Sequence, residues 1–133
     1  MTKWRAYEYA KSASLNSDFG YQALGAAAIY CGKLLAVGWN SCKTHPVQAK
    51  YNSSERGFDG YFFKSSIHAE MMVINKIKHL DINFGKVKLF VWRGSHAPRL
   101  AKPCAACERA LRDLGIKHIY YTGNDSFVEE TYV

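Results

Sequence analysis

The sequence predicts an α/β fold. Three observations carry that expectation. A helix-spaced stretch opens the chain, and two apolar runs then meet across a glycine turn. After them, two further helix patterns are each followed by a strand-like apolar run. The order is helix, hairpin, helix, strand, helix, strand. The strand–helix–strand unit over 86–122 should form a right-handed parallel crossover. A length of 133 residues suits a single domain covering 1–133.

Residues 3–15 have helical spacing, with Trp4, Tyr7 (or Ala6), Ala10 and Leu15 able to share one side. Asn16-Ser17-Asp18-Phe19-Gly20 breaks the pattern with turn formers. Leu24 to Tyr30 is small and apolar and reads as a strand. Cys31-Gly32-Lys33 turns the chain, and Leu34 to Trp39 returns it as a second strand. Residues 40–66 are the least regular stretch, and a loop of that length usually serves function or carries short structure of its own. Ser65 or Ser66 could cap the next helix, expected over Ile67 to Leu80, with Ile67, Met71, Ile74 and Ile77 on one face. Lys86 to Trp92 is nearly continuous in apolar character, as in a strand covered on both faces. A loop over 93–102 leads to a helix from Pro103 to Leu114, with Pro103 as its first residue and Gly115 as its stop. Ile116 to Thr122 reads as another strand. Residues 123–133 fit a turn followed by either a short strand or a short helix.

A hydrophobic fraction of 48% with 14% aromatics is ample for a packed core and excludes a disordered chain. No apolar run approaches the roughly 18–20 residues of a membrane-spanning helix. The first residues lack the apolar core of a signal peptide, so a cytoplasmic protein without membrane contact is expected. Cys31 and Cys42 are read as thiols rather than disulfide partners. The net charge of +7 suits an anionic partner, but its lysines and arginines are dispersed, with no run of five.

Two short motifs carry the chemistry: Ser66-Ile67-His68-Ala69-Glu70 and Pro103-Cys104-Ala105-Ala106-Cys107. Together they read H-x-E followed by P-C-x-x-C. Imidazole nitrogen and thiolate sulfur are the donors zinc prefers. Three of them, His68, Cys104 and Cys107, leave a fourth coordination position open, which marks a catalytic site rather than a structural one. Glu70 lies close enough to act as general acid and base without binding the metal. With each motif at the start of a helix, the positive ends of two helix dipoles would favour the thiolates and the carboxylate. Either half alone has ordinary readings. A C-x-x-C can be a redox pair, and a lone His-x-Glu says almost nothing. A redox pair would leave His68 and Glu70 unexplained. Cys42, His45 and His96 read most simply as residues of polar loops.

At these residues the chain resembles the cytidine deaminase superfamily, in element order as well as motifs, over roughly Leu24 to Tyr121. Histidine as first ligand resembles the deoxycytidylate, tRNA adenosine and polynucleotide-editing branches. Gly38-Trp39-Asn40 looks like the G-x-N of the first group. The resemblance implies a mixed five-stranded sheet flanked by helices, and Zn2+ as cofactor. It implies that Asn40 contacts the sugar, and that the backbone N–H of Ala69 and the carbonyl of Lys102 hold the base. Leu100-Ala101-Lys102 stands where relatives often have T-L-E, and the resemblance assigns no pattern to the loop over 93–99, so the substrate is left open. The first expectation is a cytosine nucleotide, deoxycytidylate foremost, or a nucleoside. Single-stranded DNA or RNA is the alternative, and an inactive zinc-binding domain the reading from another class. A homo-oligomer is open. Among the aromatics, Phe63 (or Phe62) in the irregular loop could line the pocket. Trp92 and Tyr120 suit the core better than base stacking.

Overall fold

A computed structural model describes residues 1–19, 23–44, 46, 48, 51, 66–94, 100–124 and 126–133. Within them the helices are α1 (Lys3–Ser14), α2 (Ala69–Ile77) and α3 (Ala105–Leu114). The strands are β1 (Leu24–Tyr30), β2 (Lys33–Trp39), β3 (Ser41–Thr44), β4 (Ser66–Ile67), β5 (Val87–Arg93), β6 (His118–Gly123) and β7 (Ser126–Thr131). Five strands form one mixed sheet in the order β2-β1-β5-β6-β7. β5 and β6 are parallel, joined through α3, and the other neighbouring pairs are antiparallel. β3 and β4 pair separately.

Side chains alternate across a strand, so one sheet serves two cores. Ala26 and Ala28 of β1, Val87, Leu89 and Val91 of β5, and Ile119 and Tyr121 of β6 face α2 and α3. The intervening Ala27, Ile29, Phe90, Trp92 and Tyr120 face α1. This explains why β5 reads as nearly continuous apolar sequence: both of its faces are covered. Trp92 and Tyr120 are core residues, as their strand positions suggested. On the α1 side Phe90 and Tyr120 stack with ring centroids 4.4 Å apart.

Several expected details are corrected. The inner face of α1 is Ala6, Tyr7, Ala10, Ala13 and Ser14. Trp4 and Leu15 are instead 64% and 78% exposed. Leu15 is the C-cap, outside the helical periodicity, and Trp4 sits at the margin, edge-on to Phe127. The second helix was expected over 67–80 but spans only 69–77, because Ile67 belongs to β4 and the chain leaves the helix after Ile77. Pro103 precedes the N-cap Cys104 rather than opening the helix. Gly115 does end α3, at φ 99°, with its N–H and that of Ile116 closing back on the last turn. The undecided carboxyl-terminal stretch is a strand, β7, antiparallel to β6. No helix among the described residues is long and apolar enough to cross a membrane. Cys31 and Cys42 are exposed and unbridged.

Two close approaches set the layers. At Gly25 a Cβ atom would run into the Ala10 carbonyl oxygen of α1. At Gly38 a Cβ would lie 2.5 Å from the Ala69 carbonyl oxygen and 2.9 Å from Val73 Cγ2. The glycine of Gly38-Trp39-Asn40 therefore lets the first turn of α2 rest directly on β2. Substituting Gly38 by alanine is expected to overpack this seat and cost about 2–3 kcal/mol of stability. Urea unfolding of Gly38→Ala beside the unsubstituted protein measures it, and equal midpoints would contradict this account of the seat.

Candidate metal and active site

Both motifs sit at helix amino-termini, where backbone N–H groups lack intrahelical partners. His68 is the N-cap of α2 and Cys104 the N-cap of α3, and neither side chain caps its own helix. Serine at 65 or 66 was expected to cap α2. Ser66 lies instead in β4, and position 65 is outside the described residues. The His68 N–H donates to Gln48 Oε1 at 3.0 Å, so a buried glutamine twenty residues earlier steadies this end. N-cap and third helical position lie side by side in a first turn, and Cys104 and Cys107 occupy those two positions.

The side chains released from capping meet one another. His68 Nδ1 lies 3.6 Å from Cys104 Sγ and 3.3 Å from Cys107 Sγ. All three donor atoms fall within 4.8 Å of one another, and no other such group of three occurs among the described residues. Tetrahedral zinc, with bonds of about 2.0–2.1 Å to nitrogen and 2.3 Å to sulfur, holds such donors roughly 3.5 Å apart. The residues present therefore fit zinc in both chemistry and spacing. The thiols are strongly polarised against each other. The Cys107 thiol donates to Cys104, whose pKa is pushed down to about 3, His68 adding to the effect. The same hydrogen bond, with burial, pushes Cys107 well up.

Glu70, in the first turn of α2, is 4% exposed. Burial raises its pKa above the ordinary carboxylate value, as does the neighbouring Cys104, while His68 and a hydrogen bond with Cys107 oppose the shift. The carboxyl group thus sits against the same three donors and is held nearer to the range in which it can both accept and release a proton.

These residues open on a cavity of about 270 Å³ whose lining includes His68, Glu70, Cys104, Asn40, Lys102 and Arg93. Asn40 Oδ1 accepts from the Leu24 N–H at 2.9 Å and from Ser17 Oγ, tying β1 to β2 at the rim. Lys102 is exposed on the lining, whereas Ala69, fully buried in the first turn of α2, is not one of the lining residues. Phe63 and Phe62 lie outside the described residues, as do His45 and His96. Trp39 is covered by the Lys76 ammonium, 4.9 Å from its ring centroid. Sequence reasoning missed Gln48, Phe19 and Arg93. Phe19 stood among turn formers, yet it lines the cavity. An apolar ring inside a polar turn was the available signal. The cavity gathers the start of β1 and the ends of β2 and β5. It lies at the carboxyl ends of the parallel pair, where open α/β sheets bind ligands.

Residues 3–123 match the family described as the cytidine and deoxycytidylate deaminase zinc-binding region. No curated protein matches the chain by sequence. Among solved structures, a cytidine deaminase from Burkholderia pseudomallei is similar at TM-score 0.65 and 20% identity, covering 98% of this chain and 93% of that one. A dCMP deaminase from the cyanophage S-TIM5 is similar at TM-score 0.57 and 23% identity, covering 91% and 84%. A variant cytidine deaminase from Mycobacterium tuberculosis aligns at TM-score 0.58 and 16% identity, covering 93% and 92%. At these identities the likeness is one of fold, and it extends to the five-stranded mixed sheet.

Metal content is the direct check on the donor cluster. Purified protein is expected to carry about one equivalent of zinc, and Cys104→Ala to lose it. Full zinc retention by that variant, measured by atomic emission, would remove Cys104 from the ligand set.

Proposed function

The chain belongs to the cytidine and deoxycytidylate deaminase family, and from that premise we propose that it hydrolyses the amino group of a cytosine base to give uracil and ammonia. The reading rests on one observation above all: a buried carboxyl group, Glu70, packed against the His68, Cys104 and Cys107 donors at the base of a cavity. Zinc held by those three residues would act as a Lewis acid, making water a competent nucleophile near neutral pH.

The remaining steps belong to the protein. Glu70 accepts a proton from the attacking water on a carboxylate oxygen and delivers it to the ring nitrogen beside the amino-bearing carbon. It then takes the second proton from the hydroxyl now on that carbon and passes it to the departing amine, so that the carbonyl of uracil forms as the carbon–nitrogen bond breaks and ammonia leaves. One group acts as base and then as acid, which the raised pKa of a buried carboxyl suits. The Ala69 N–H and the Lys102 carbonyl orient the base, and Asn40 meets the sugar at the rim. Water is limited by burial: Glu70 and Cys107 are almost wholly enclosed.

The substrate we favour is a free cytosine nucleotide, deoxycytidylate first, with the nucleoside second. The basic charge is spread along the chain rather than gathered in a stripe, and the cyanophage deaminase similar in fold has been solved with dCMP and dUMP. A single-stranded polynucleotide is the second reading, favoured by the net charge of +7. Several phosphate contacts would make its binding fall steeply with salt, and one phosphate would not.

Two measurements decide these points. Glu70→Gln is expected to keep its zinc and its fold while kcat falls about 100- to 10,000-fold; near-normal turnover would exclude Glu70 as the proton carrier. A panel of cytidine, deoxycytidine, deoxycytidylate, adenosine and single-stranded DNA and RNA, read for ammonia release, should show deoxycytidylate as the best substrate. Turnover confined to oligonucleotides, or release from adenosine, would replace the substrate assignment.

A further inference from the structure

Arg93 closes β5 at the edge of the cavity. By alternation it shares a face with Leu89 and Val91, the face that carries α2 and α3. Its backbone is fixed: the Arg93 N–H donates to Thr122 Oγ1 at 3.2 Å, and Thr122 is fully buried. The neighbouring Trp92 Nε1 is locked on the Gly94 carbonyl at 2.7 Å. The guanidinium is far less satisfied. One terminal nitrogen donates to the Leu100 carbonyl at 3.3 Å, while Nε is buried without any hydrogen-bond partner among the described residues.

The other described arginines are accounted for. Arg109 pairs with Asp113, Arg112 pairs with Glu108 and lies over the Tyr132 ring, and Arg5 lies over Tyr9. Arg93 alone among them has neither a carboxylate nor an aromatic ring. A buried N–H donor left without an acceptor costs free energy unless a ligand supplies one. The planar fork of a guanidinium suits a tetrahedral oxyanion that can accept two parallel hydrogen bonds. Among the lining residues Glu70 and Cys104 lie with His68, so the positive charge left to the cavity is that of Arg93 and the exposed Lys102.

We propose that Arg93 is the specificity-determining anchor for the substrate's phosphate, which makes this site selective for a nucleotide over its nucleoside. The inference rests on the deaminase reading for the identity of the ligand, but its test can be separated from that reading. Deoxyuridylate and deoxyuridine, the products of the two candidate reactions, bind without reacting and differ only in the phosphate. Calorimetry on zinc-loaded protein should show deoxyuridylate binding at least tenfold more tightly than deoxyuridine, the scale of a charge-assisted bidentate contact. In Arg93→Met that preference should disappear, the loss falling on the phosphorylated ligand, with zinc content intact. Arg93→Lys, which keeps the charge without the fork, should retain part of it and serves if the methionine variant does not fold. In turnover, the ratio of kcat/KM for deoxycytidylate to that for deoxycytidine should collapse in parallel, mainly through KM.

Equal affinity for the two ligands in the unsubstituted protein overturns the proposal, and so does a preference that survives in Arg93→Met. An equal loss of both ligands also overturns it, by showing that Arg93 merely supports the structure. Absence of any deamination alongside Arg93-dependent binding of deoxyuridylate would instead sink the deaminase reading and leave the anion anchor standing.

Discussion

The site depends on the amino ends of α2 and α3 being held against each other, with the His68 imidazole in contact with both cysteine sulfurs. Neither helix is long, and neither brings its end to this point by itself. The sheet does it. α2 lies on β2 through the gap that Gly38 leaves, and α3 spans the parallel pair β5 and β6. The sheet residues facing the two helices, such as Leu89, Val91 and Ile119, are among the most deeply buried in the chain. Positioning is thus a property of the packed core, and the reactive groups ride on rigid elements rather than on loops.

That arrangement carries an electrostatic tension. A carboxyl group and two sulfurs, all capable of negative charge, share one poorly solvated spot, which drives proton retention on Glu70 and Cys107. The positive poles of two helix dipoles and the His68 ring offset part of that cost. The N-cap positions are spent on side chains that do not cap, so stability at both helix starts is given up to aim the donors inward, with Gln48 compensating at one of them.

Much of this was legible in the sequence. β1 and β5 could be read because their buried runs have few polar interruptions, β2 because its apolar stretch follows a glycine turn, and Gly115 because a left-handed residue at a helix end calls for glycine. The gathering of His68, Cys104 and Cys107 beside Glu70 was legible because zinc and proton transfer permit few residue types at few spacings. What failed did so for physical reasons. The helix starts were misplaced because cap rules favour serine and proline, whereas here His68 and Cys104 hold the cap positions for another purpose. β3 and β4 are short and polar, without a period to detect. The inner face of α1 was misjudged because size was taken as a sign of burial: small alanines face the sheet and Trp4 stays outside. Arg93 and Gln48 gave no local signal, since each meets the site through residues distant in sequence.

The register of the central strands has a kinetic consequence. β1 with β2, and β6 with β7, are hairpins whose partners are near neighbours along the chain, so each can form by local search. β1 with β5 is a long-range pairing, which places Leu24 opposite Arg93 and so closes the cavity wall. Loop-closure entropy delays such pairings relative to local ones. During refolding, the ribbons would be in place before the pocket exists. Recovery of far-ultraviolet signal would then run ahead of recovery of ligand binding, and the chain would pass through a stage that is folded by spectroscopy yet blind to its substrate.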